Sequence, residues 1–359
     1  RETILVFSAP VADGALPGAI SAEAGDASLF FTQRVSADRT RITLFYQNDL
    51  PAGARVRVTV RGNQLHDDQG VPFDANGAAD GTTAVVSFDT IPLATVAGTA
   101  VCGRIFASEV GSAPGGATVD APLEGVTVTV DGTENDFMPL QAVTDAMGDF
   151  CLDPAPAGTF FVHFDGRTVT NIPAGAPAVC QADPSPCYYP FVGKALSSVP
   201  GVTTSTMMGM PIQIYLPLVL PDVLQPVSAT PGVDTTIGFP ASVLEAAPPE
   251  LQDIFAKVSI TVPGGSLYHD DGSPGAMVGI APVPSDRMPG PMPNGVEQPL
   301  VITVQTDGAS NFDIPVSACF PNVGPKDPDT GEFTPGAPPG AKSALWSFDH
   351  DKGTFEVIG

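Results

Sequence analysis

The chain has 359 residues, of which 39 are acidic and 15 basic, and its formal net charge at pH 7 is −24. Nucleic acids and anionic lipid surfaces are bound by clustered Lys and Arg, so this balance excludes a nucleic-acid role. No apolar run reaches the roughly 20 residues of a membrane helix, and we expect no membrane span in this chain. Gly (38) and Pro (39) are abundant, which predicts a folded chain with many turns.

The hydrophobic pattern in chain order has a period of two residues almost throughout. Short runs such as SLFFTQRV, TRITLFY, RVRVTVR, GVTVTVD, TFFVHFD, KVSITV and PLVITVQT are separated by Gly, Pro and Asp clusters. Such runs are typical of β-strands in sandwiches. Only residues 248–258 have helical spacing, with two prolines at their start. The sequence therefore predicts an all-β protein of three β-sandwich domains in series, with at most one short helix.

The first predicted domain, residues 1–94, carries a pattern in its second half that resembles the bacterial Ig-like domain of the S-layer (SbsA) type. Val56 stands where that family usually has Tyr. The resemblance implies an Ig-like β-sandwich. The matching positions are Leu50, Pro51, Gly53, Val58, Val60, Asp67, Gly70, Phe88 and Thr90.

The second predicted domain, residues 98–168, resembles a carboxypeptidase regulatory-like domain of the prealbumin type, related to collagen-adhesin B repeats. The resemblance implies a second sandwich. Some relatives of this fold form a Lys–Asn isopeptide bond, but residues 98–167 contain no lysine, so this crosslink is excluded. The matching positions are Val101, Gly103, Ile105, Leu123, Gly125, Val126, Val128, Val130, Thr144, Asp145, Gly148, Phe150, Leu152, Pro156, Gly158, Phe160 and Val162.

Residues 169–222 are predicted to form a Pro-rich bridge between domains. We expect its apolar segment, 207–220, to add a strand to a neighbouring domain. The alternative is that this segment forms a docking surface. The last predicted domain, residues 223–359, resembles a ZU5-like sandwich or the plug-type domains that precede teneurin-like shells. That resemblance implies a third β-sandwich. Its positions are Pro263, Gly264, Leu267, Pro289, Pro291, Pro293, Phe312, Pro315, Pro321, Asn322 and residues 346–353.

Five cysteines allow two disulfides and one unpaired thiol. Cys180 and Cys187 flank a short Pro-containing loop, and Cys102 and Cys151 lie in strand-like runs that could pair across strands. We therefore predict the disulfides Cys102–Cys151 and Cys180–Cys187, with Cys319 buried and unpaired. Five reduced, buried thiols are the alternative. Disulfides indicate an oxidising, extracellular or cell-surface compartment.

The triplet His-Asp-Asp with a nearby Gly occurs twice, at 66–70 and 269–272. Carboxylates clustered in a loop are ligands that calcium prefers, which makes Asp67, Asp68, Asp270 and Asp271 calcium candidates. Asp and Gly are also ordinary hairpin-turn residues, and we favour that interpretation. No other cofactor or metal is expected.

No catalytic motif stands out in the sequence, and we expect no enzymatic activity. The composition favours a structural or adhesive segment of a secreted or cell-surface bacterial protein. Its partners would be other protein modules, copies of itself in a filament or surface assembly, or possible glycans. The alternative function is an accessory carbohydrate-binding or shell-packing region of a modular enzyme or toxin.

Overall fold

The computed structural model describes residues 2–12, 14, 18–77, 83–108, 120–133, 136, 138–207, 209–269, 272–275, 277–284, 286–290, 292–293, 300–307, 310–327, 329–330, 333–350 and 352–359. Within these ranges strands predominate, and the longest α-helix has seven residues. The predicted all-β fold class is confirmed. No helix in the described ranges is long and apolar enough to cross a membrane.

In its described residues the first module, 2–94, has two antiparallel sheets around a core of its own. Their strand orders are β1-β5-β4 and β3-β2-β6-β7. Alternating side chains of β5 and β6 point into this core, where Leu44 and Val56 are fully buried. The strands are β1 Thr3–Val6, β2 Ile20–Ala24, β3 Ala27–Leu29, β4 Phe31–Val35, β5 Arg41–Tyr46, β6 Arg55–Arg61 and β7 Thr83–Asp89.

The second module, residues 98–222, is a sandwich that includes strands from the predicted bridge. Its strands are β8 Ala100–Ala107, β9 Ala121–Pro122, β10 Thr127–Val130, β11 Gln141–Val143, β12 Asp149–Leu152, β13 Gly158–Asp165, β14 Phe191–Ser198, β15 Thr203–Thr204, β16 Thr206–Met207, β17 Met210–Pro211 and β18 Gln213–Leu216. One sheet has the order β11-β10-β13-β14. In the other, β8 pairs with β12, β9, β15 and β18.

The bridge segment is thus part of a sheet. β14 pairs with β13 over eight residues, and β18 lies parallel to β8. Ile212, Ile214 and Leu216 are buried because this strand turns its apolar side chains into the core. The segment 207–220 therefore packs largely inside the chain, and its buried side chains are not available as a docking surface.

The third module, residues 223–359, contains several small sheets and two α-helices in its described parts. Its strands are β19 Gln225–Pro226, β20 Thr235–Gly238, β21 Ser259–Val262, β22 Leu267–His269, β23 Met277–Val283, β24 Val301–Thr306, β25 Ser310–Phe312, β26 Ser317–Cys319, β27 Val323–Lys326, β28 Phe333–Pro335, β29 Trp346–Asp349 and β30 Thr354–Val357. Three-stranded sheets have the orders β19-β23-β24 and β20-β21-β26, and the rest are two-stranded pairs.

The limit of one short helix is wrong. Helix α2, Pro249–Phe255, lies inside the predicted segment, but α1, Ala241–Ala246, precedes it. Six residues are too few to show a helical period in the sequence, and Pro240 at the N-cap position is the one local signal for α1. The rings of Phe239 and Phe255 pack 5.1 Å apart between centroids and hold the two helices to the core.

The hydrophobic cores do not follow the three modules. One continuous cluster of buried residues runs from Val101 in the second module to Ile280 in the third. The first module has a separate cluster, from Val11 to Leu65. The second and third modules therefore share one core. Leu93, at the end of the first module, packs against this core, and the rest of the first module is held by other contacts.

Candidate functional site at the module junctions

The junction between the first and third modules is centred on a buried ion pair. Arg34, on β4, donates from Nε to Oδ2 of Asp313 at 3.2 Å and from Nη2 to the Gly265 carbonyl at 2.8 Å. Asp313 is 3% exposed, and its Oδ1 has no hydrogen-bond partner among the described residues. Burial raises the pKa of this carboxyl above its ordinary value, while the Arg34 guanidinium opposes that rise.

Aromatic rings extend the same junction. The guanidinium of Arg34 lies 4.7 Å from the ring centroid of Tyr268, and the ring of Phe45 meets that of Tyr268 edge-on at 5.5 Å. At the periphery, Asn311 donates to the Glu2 carboxylate at 2.7 Å. The first module therefore contacts the third in space, although the second separates them in sequence.

The junction between the second and third modules holds the other buried charged residue of the described ranges. Arg287 is 2% exposed and donates from Nη1 to the Ala107 carbonyl, at the end of β8, at 2.7 Å. Its guanidinium lies 5.5 Å from the ring centroid of Tyr215 and 3.6 Å from a carboxylate oxygen of Asp120. Arg287 thus fastens its loop to the sheet of the second module.

Lys194, on β14, makes a further link across this junction. Its Nζ donates to the Pro289 carbonyl at 2.6 Å and lies 5.6 Å from the ring centroid of Phe348. Burial lowers the pKa of this amine to about 8. The next residue, Ala195, donates its backbone N–H to the His350 carbonyl at 3.0 Å, so the β29–β30 hairpin covers part of the outer edge of β14.

Two surface depressions border the segment 205–213. The smaller, about 260 Å³, is lined by Lys194 and by apolar side chains that include Met207, Met210 and Met288. The larger, about 600 Å³, is an open groove beside the Cys102–Cys151 disulfide, and Arg104 and Asp149 line it. Both carboxylate oxygens of Asp149 accept from the Arg104 guanidinium, at 2.6 and 2.9 Å, so the groove presents paired charge.

The structure contains the disulfides Cys102–Cys151 and Cys180–Cys187, both in the second module. Cys102 and Cys151 are directly opposite each other on β8 and β12, which is why the bridge forms across the strands. The prediction that Cys319 is buried is wrong, because its strand, β26, lies at the edge of a sheet and all three of its residues are exposed.

Asp67 and Asp68 do not form a cation site with other residues that the structure describes. Oδ1 of Asp67 accepts from the backbone N–H groups of Gln69 and Val71, at 2.9 and 2.8 Å, and so builds the hairpin turn itself. Across the described ranges no group of three His, Cys, Asp or Glu residues has the arrangement of a metal site. Asp270 and Asp271 lie outside the described residues.

The junction residues were not predicted from the sequence. Arg34 and Asp313 lie within runs of alternating polar and apolar residues, where a charged side chain ordinarily faces solvent. The one local signal is that each residue has bulky apolar neighbours in the sequence. Arg34 lies in FTQRV, and Asp313 lies in NFDIPV. Such neighbours are frequent in strands, and only the tertiary contact distinguishes these two side chains.

Comparison with known proteins identifies no family. No family model matches the chain, and no curated protein matches it. The predicted resemblances to SbsA-type Ig-like, carboxypeptidase regulatory-like, and ZU5-like or teneurin-plug-like domains therefore stay predictions.

Several solved structures match the chain remotely. The N-terminal part of the bacterial S-layer protein SbsC is 16% identical, with 48% of this chain and 38% of that chain covered and a TM-score of 0.23. The Bacillus anthracis TIE protein is 12% identical, with coverages of 88% and 48% and a TM-score of 0.20. BcpA, the major pilin subunit of Bacillus cereus, is 8% identical, with coverages of 61% and 56% and a TM-score of 0.20. The chain spans less than half the length of the first two, and TM-scores this low establish no common overall fold.

Proposed function

We propose that this chain is a non-catalytic structural segment of an extracellular or cell-surface protein, in which three β-rich modules are fastened into one support. One observation carries the proposal. Both charged residues that are buried in the described ranges, Arg287 and Asp313, bond to a neighbouring module. Burying a charged group costs free energy unless the group is paired. In this chain the buried charged groups lie at the contacts between modules.

The disulfides support the extracellular location. Four of the five cysteines are paired, and both bridges lie in the module that joins the other two along the chain. Disulfides persist in oxidising compartments and are rare in the cytosol. An acidic surface with few lysines is compatible with this setting, and it disfavours binding to anionic partners. The accessory glycan-binding role stays a prediction.

Thiol counting on the exported, unreduced protein tests the location. Alkylation under denaturing conditions, followed by intact-mass measurement, should add one label per chain, at Cys319. Peptide mapping should then link Cys102 to Cys151 and Cys180 to Cys187. Five labels per chain, or a different pairing, would remove the argument for an oxidising compartment.

The structural role predicts a second result. The small-angle X-ray scattering profile of the exported chain should fit one rigid body in which the first module contacts the third. The scattering profile should change when Arg34 is replaced by Ala. A wild-type profile that fits only modules moving independently would contradict the proposal that they form one support.

A further inference from the structure

The strand β7, Thr83–Asp89, lies at the end of its sheet, and none of the described strands pairs with its other long side. β6 is the only strand paired with it in the part of the chain that the structure describes. Edge strands in natural proteins are usually protected by Lys, Pro, bulges or a covering segment. β7 contains no Lys or Pro, and its register with β6 is regular over seven residues. Its one charge, on Asp89, is held by Arg55 at 2.7 Å.

The register shows which backbone groups point away from β6. Thr90, just past β7, donates its N–H to the Ala54 carbonyl at 2.8 Å, so this pair is a hydrogen-bonded one. Bonded and non-bonded pairs alternate along an antiparallel ladder. The backbone N–H and C=O groups of the even-numbered residues of β7 therefore hydrogen-bond to β6. The N–H and C=O groups of its odd-numbered residues point to the open side, and these residues are Thr83, Val85, Ser87 and Asp89.

A second β7 strand fits this open side in one register especially well. If a two-fold axis passes beside Val86, then Val85 of each copy is opposite Ser87 of the other, and Thr83 is opposite Asp89. All four outward residues then pair with outward residues, which a shift by one residue would prevent. An isologous, closed contact of this kind is the commonest arrangement in homo-oligomers.

The side chains agree with the same register. On one face Asp89 meets the hydroxyl of Thr83 of the second copy, so like charges are not placed opposite each other. On the other face Ala84 meets Phe88, a small residue against a large one, and Val86 meets itself. Val85 and Val86 are 54% and 57% exposed and would both lose apolar surface to water.

We propose that β7 is a dimerisation edge, which pairs antiparallel with β7 of a second copy of this chain about a two-fold axis at Val86. The inference goes beyond the proposed structural role and does not depend on the compartment. The segment 207–220, which the sequence suggests as a docking surface, is less available because it is largely packed into the core. The edge strand β14 is partly covered by the β29–β30 hairpin.

Replacement of Ser87 by Pro is the sharpest test. Pro removes the outward N–H and leaves the ladder with β6 intact, since edge strands tolerate Pro where the N–H faces solvent. Ser87→Ala keeps the N–H and is the matched control. Sedimentation velocity in about 0.15 M salt, where screening acts beyond ~8 Å, should show the wild type and S87A moving from 36.8 kDa monomers toward dimers as concentration rises.

We expect S87P to raise the dimer dissociation constant at least tenfold. Circular dichroism and the thermal midpoint verify that S87P is folded. The proposal is overturned if the wild type remains monomeric up to ~1 mM, a concentration at which even a weak, small interface is populated. It is also overturned if folded S87P dimerises as well as S87A.

A crosslink tests the register and does not require S87P to fold. In a Cys319→Ser background, which removes the exposed thiol, Val86→Cys places two thiols at a non-hydrogen-bonded pair with Cα atoms ~4.5 Å apart, within disulfide range. Val85→Cys places them on a diagonal ~7–8 Å apart. Oxidation should give covalent dimers of V86C at least five times faster than of V85C. Equal rates, or no V86C dimer, would contradict the proposed pairing.

Discussion

The two module junctions are built differently. The second and third modules meet through a continuous hydrophobic core, with Arg287 and Lys194 as polar links at its margin. The first and third meet through one buried ion pair, a hydrogen bond from the same Arg34 to the Gly265 carbonyl, two aromatic rings and a peripheral hydrogen bond. A shared core couples two modules over a large apolar area, whereas a polar contact depends on a few groups. We therefore infer that residues 98–359 unfold as one cooperative unit and that the first module separates at lower cost.

The largest effect is expected from Arg34→Ala. Removing one member of a buried ion pair leaves an uncompensated charge and costs about 3 kcal/mol or more. In Arg34→Ala the Asp313 carboxylate, 3% exposed, is left without its cation. Urea unfolding monitored in the first module should show this loss, with residues 98–359 unfolding as in the wild type.

Asp313→Asn is the comparison variant for that prediction. It removes the buried negative charge, and the Arg34 side chain, 17% exposed, remains close to water. We expect a smaller loss than with Arg34→Ala. If Asp313→Asn lowered the free energy of unfolding more than Arg34→Ala, burial of the Asp313 carboxylate would not be the largest unfavourable contribution at this junction.

A smaller effect is expected at Gly279, a close backbone contact within the shared core. A Cβ on Gly279, in β23, would lie 2.3 Å from the Val223 carbonyl oxygen. Gly279→Ala must therefore shift backbone at the start of the third module and should cost about 1–3 kcal/mol, as overpacking does. Gly238→Ala is the matched control, because its Cβ would find only the Val258 carbonyl oxygen, at 3.6 Å.

The Gly279→Ala result bears on the shared core. Denaturant unfolding should show the second and third modules destabilised together, with the first module unchanged. Destabilisation confined to the third module would show that the continuous cluster does not couple the two.

The smallest effect concerns pH. In the folded chain the pKa of Lys194 is lowered to about 8, whereas an unfolded Lys has a pKa of ~10.4. Between these values the unfolded chain binds a proton that the folded chain lacks, so the free energy of unfolding rises with pH. From pH 7.5 to 9.5 this contribution should be about 1–2 kcal/mol.

Lys194→Met should remove that rise, and Lys342→Met, at an exposed lysine, is the matched control. Both are measured by urea unfolding at the two pH values. An unchanged pH dependence in Lys194→Met would mean that the amine is not desolvated between the modules.

Local sequence signals predicted much of the fold. Period-two runs located many of the strands, and RVRVTVR is an example in which each Val points inward from β6. The strands of the Pro-rich bridge were harder to predict, because β14 and β18 pair with β13 and β8, which lie outside the bridge in sequence. Helix α1 is too short for a periodic signal.

Sites at module junctions are hard to predict from the sequence, because their residues come from distant parts of the chain. Arg34 and Asp313 are 279 positions apart, and neither has a local pattern that separates it from a solvated strand residue. At Asp67 the sequence favoured a hairpin turn over a calcium site, and the Asp67 carboxylate accepts hydrogen bonds from backbone N–H groups of its own turn. Only the tertiary contact distinguishes Arg34 and Asp313 from solvated strand residues.

Hydrogen exchange with mass spectrometry across a urea series tests the central claim most directly. Peptides from the first module should lose protection together at lower urea, and peptides from 98–222 and 223–359 should lose it together at higher urea. Loss of protection in 223–359 ahead of 98–222, or in all three modules at once, would contradict the account of one shared core and one docked module.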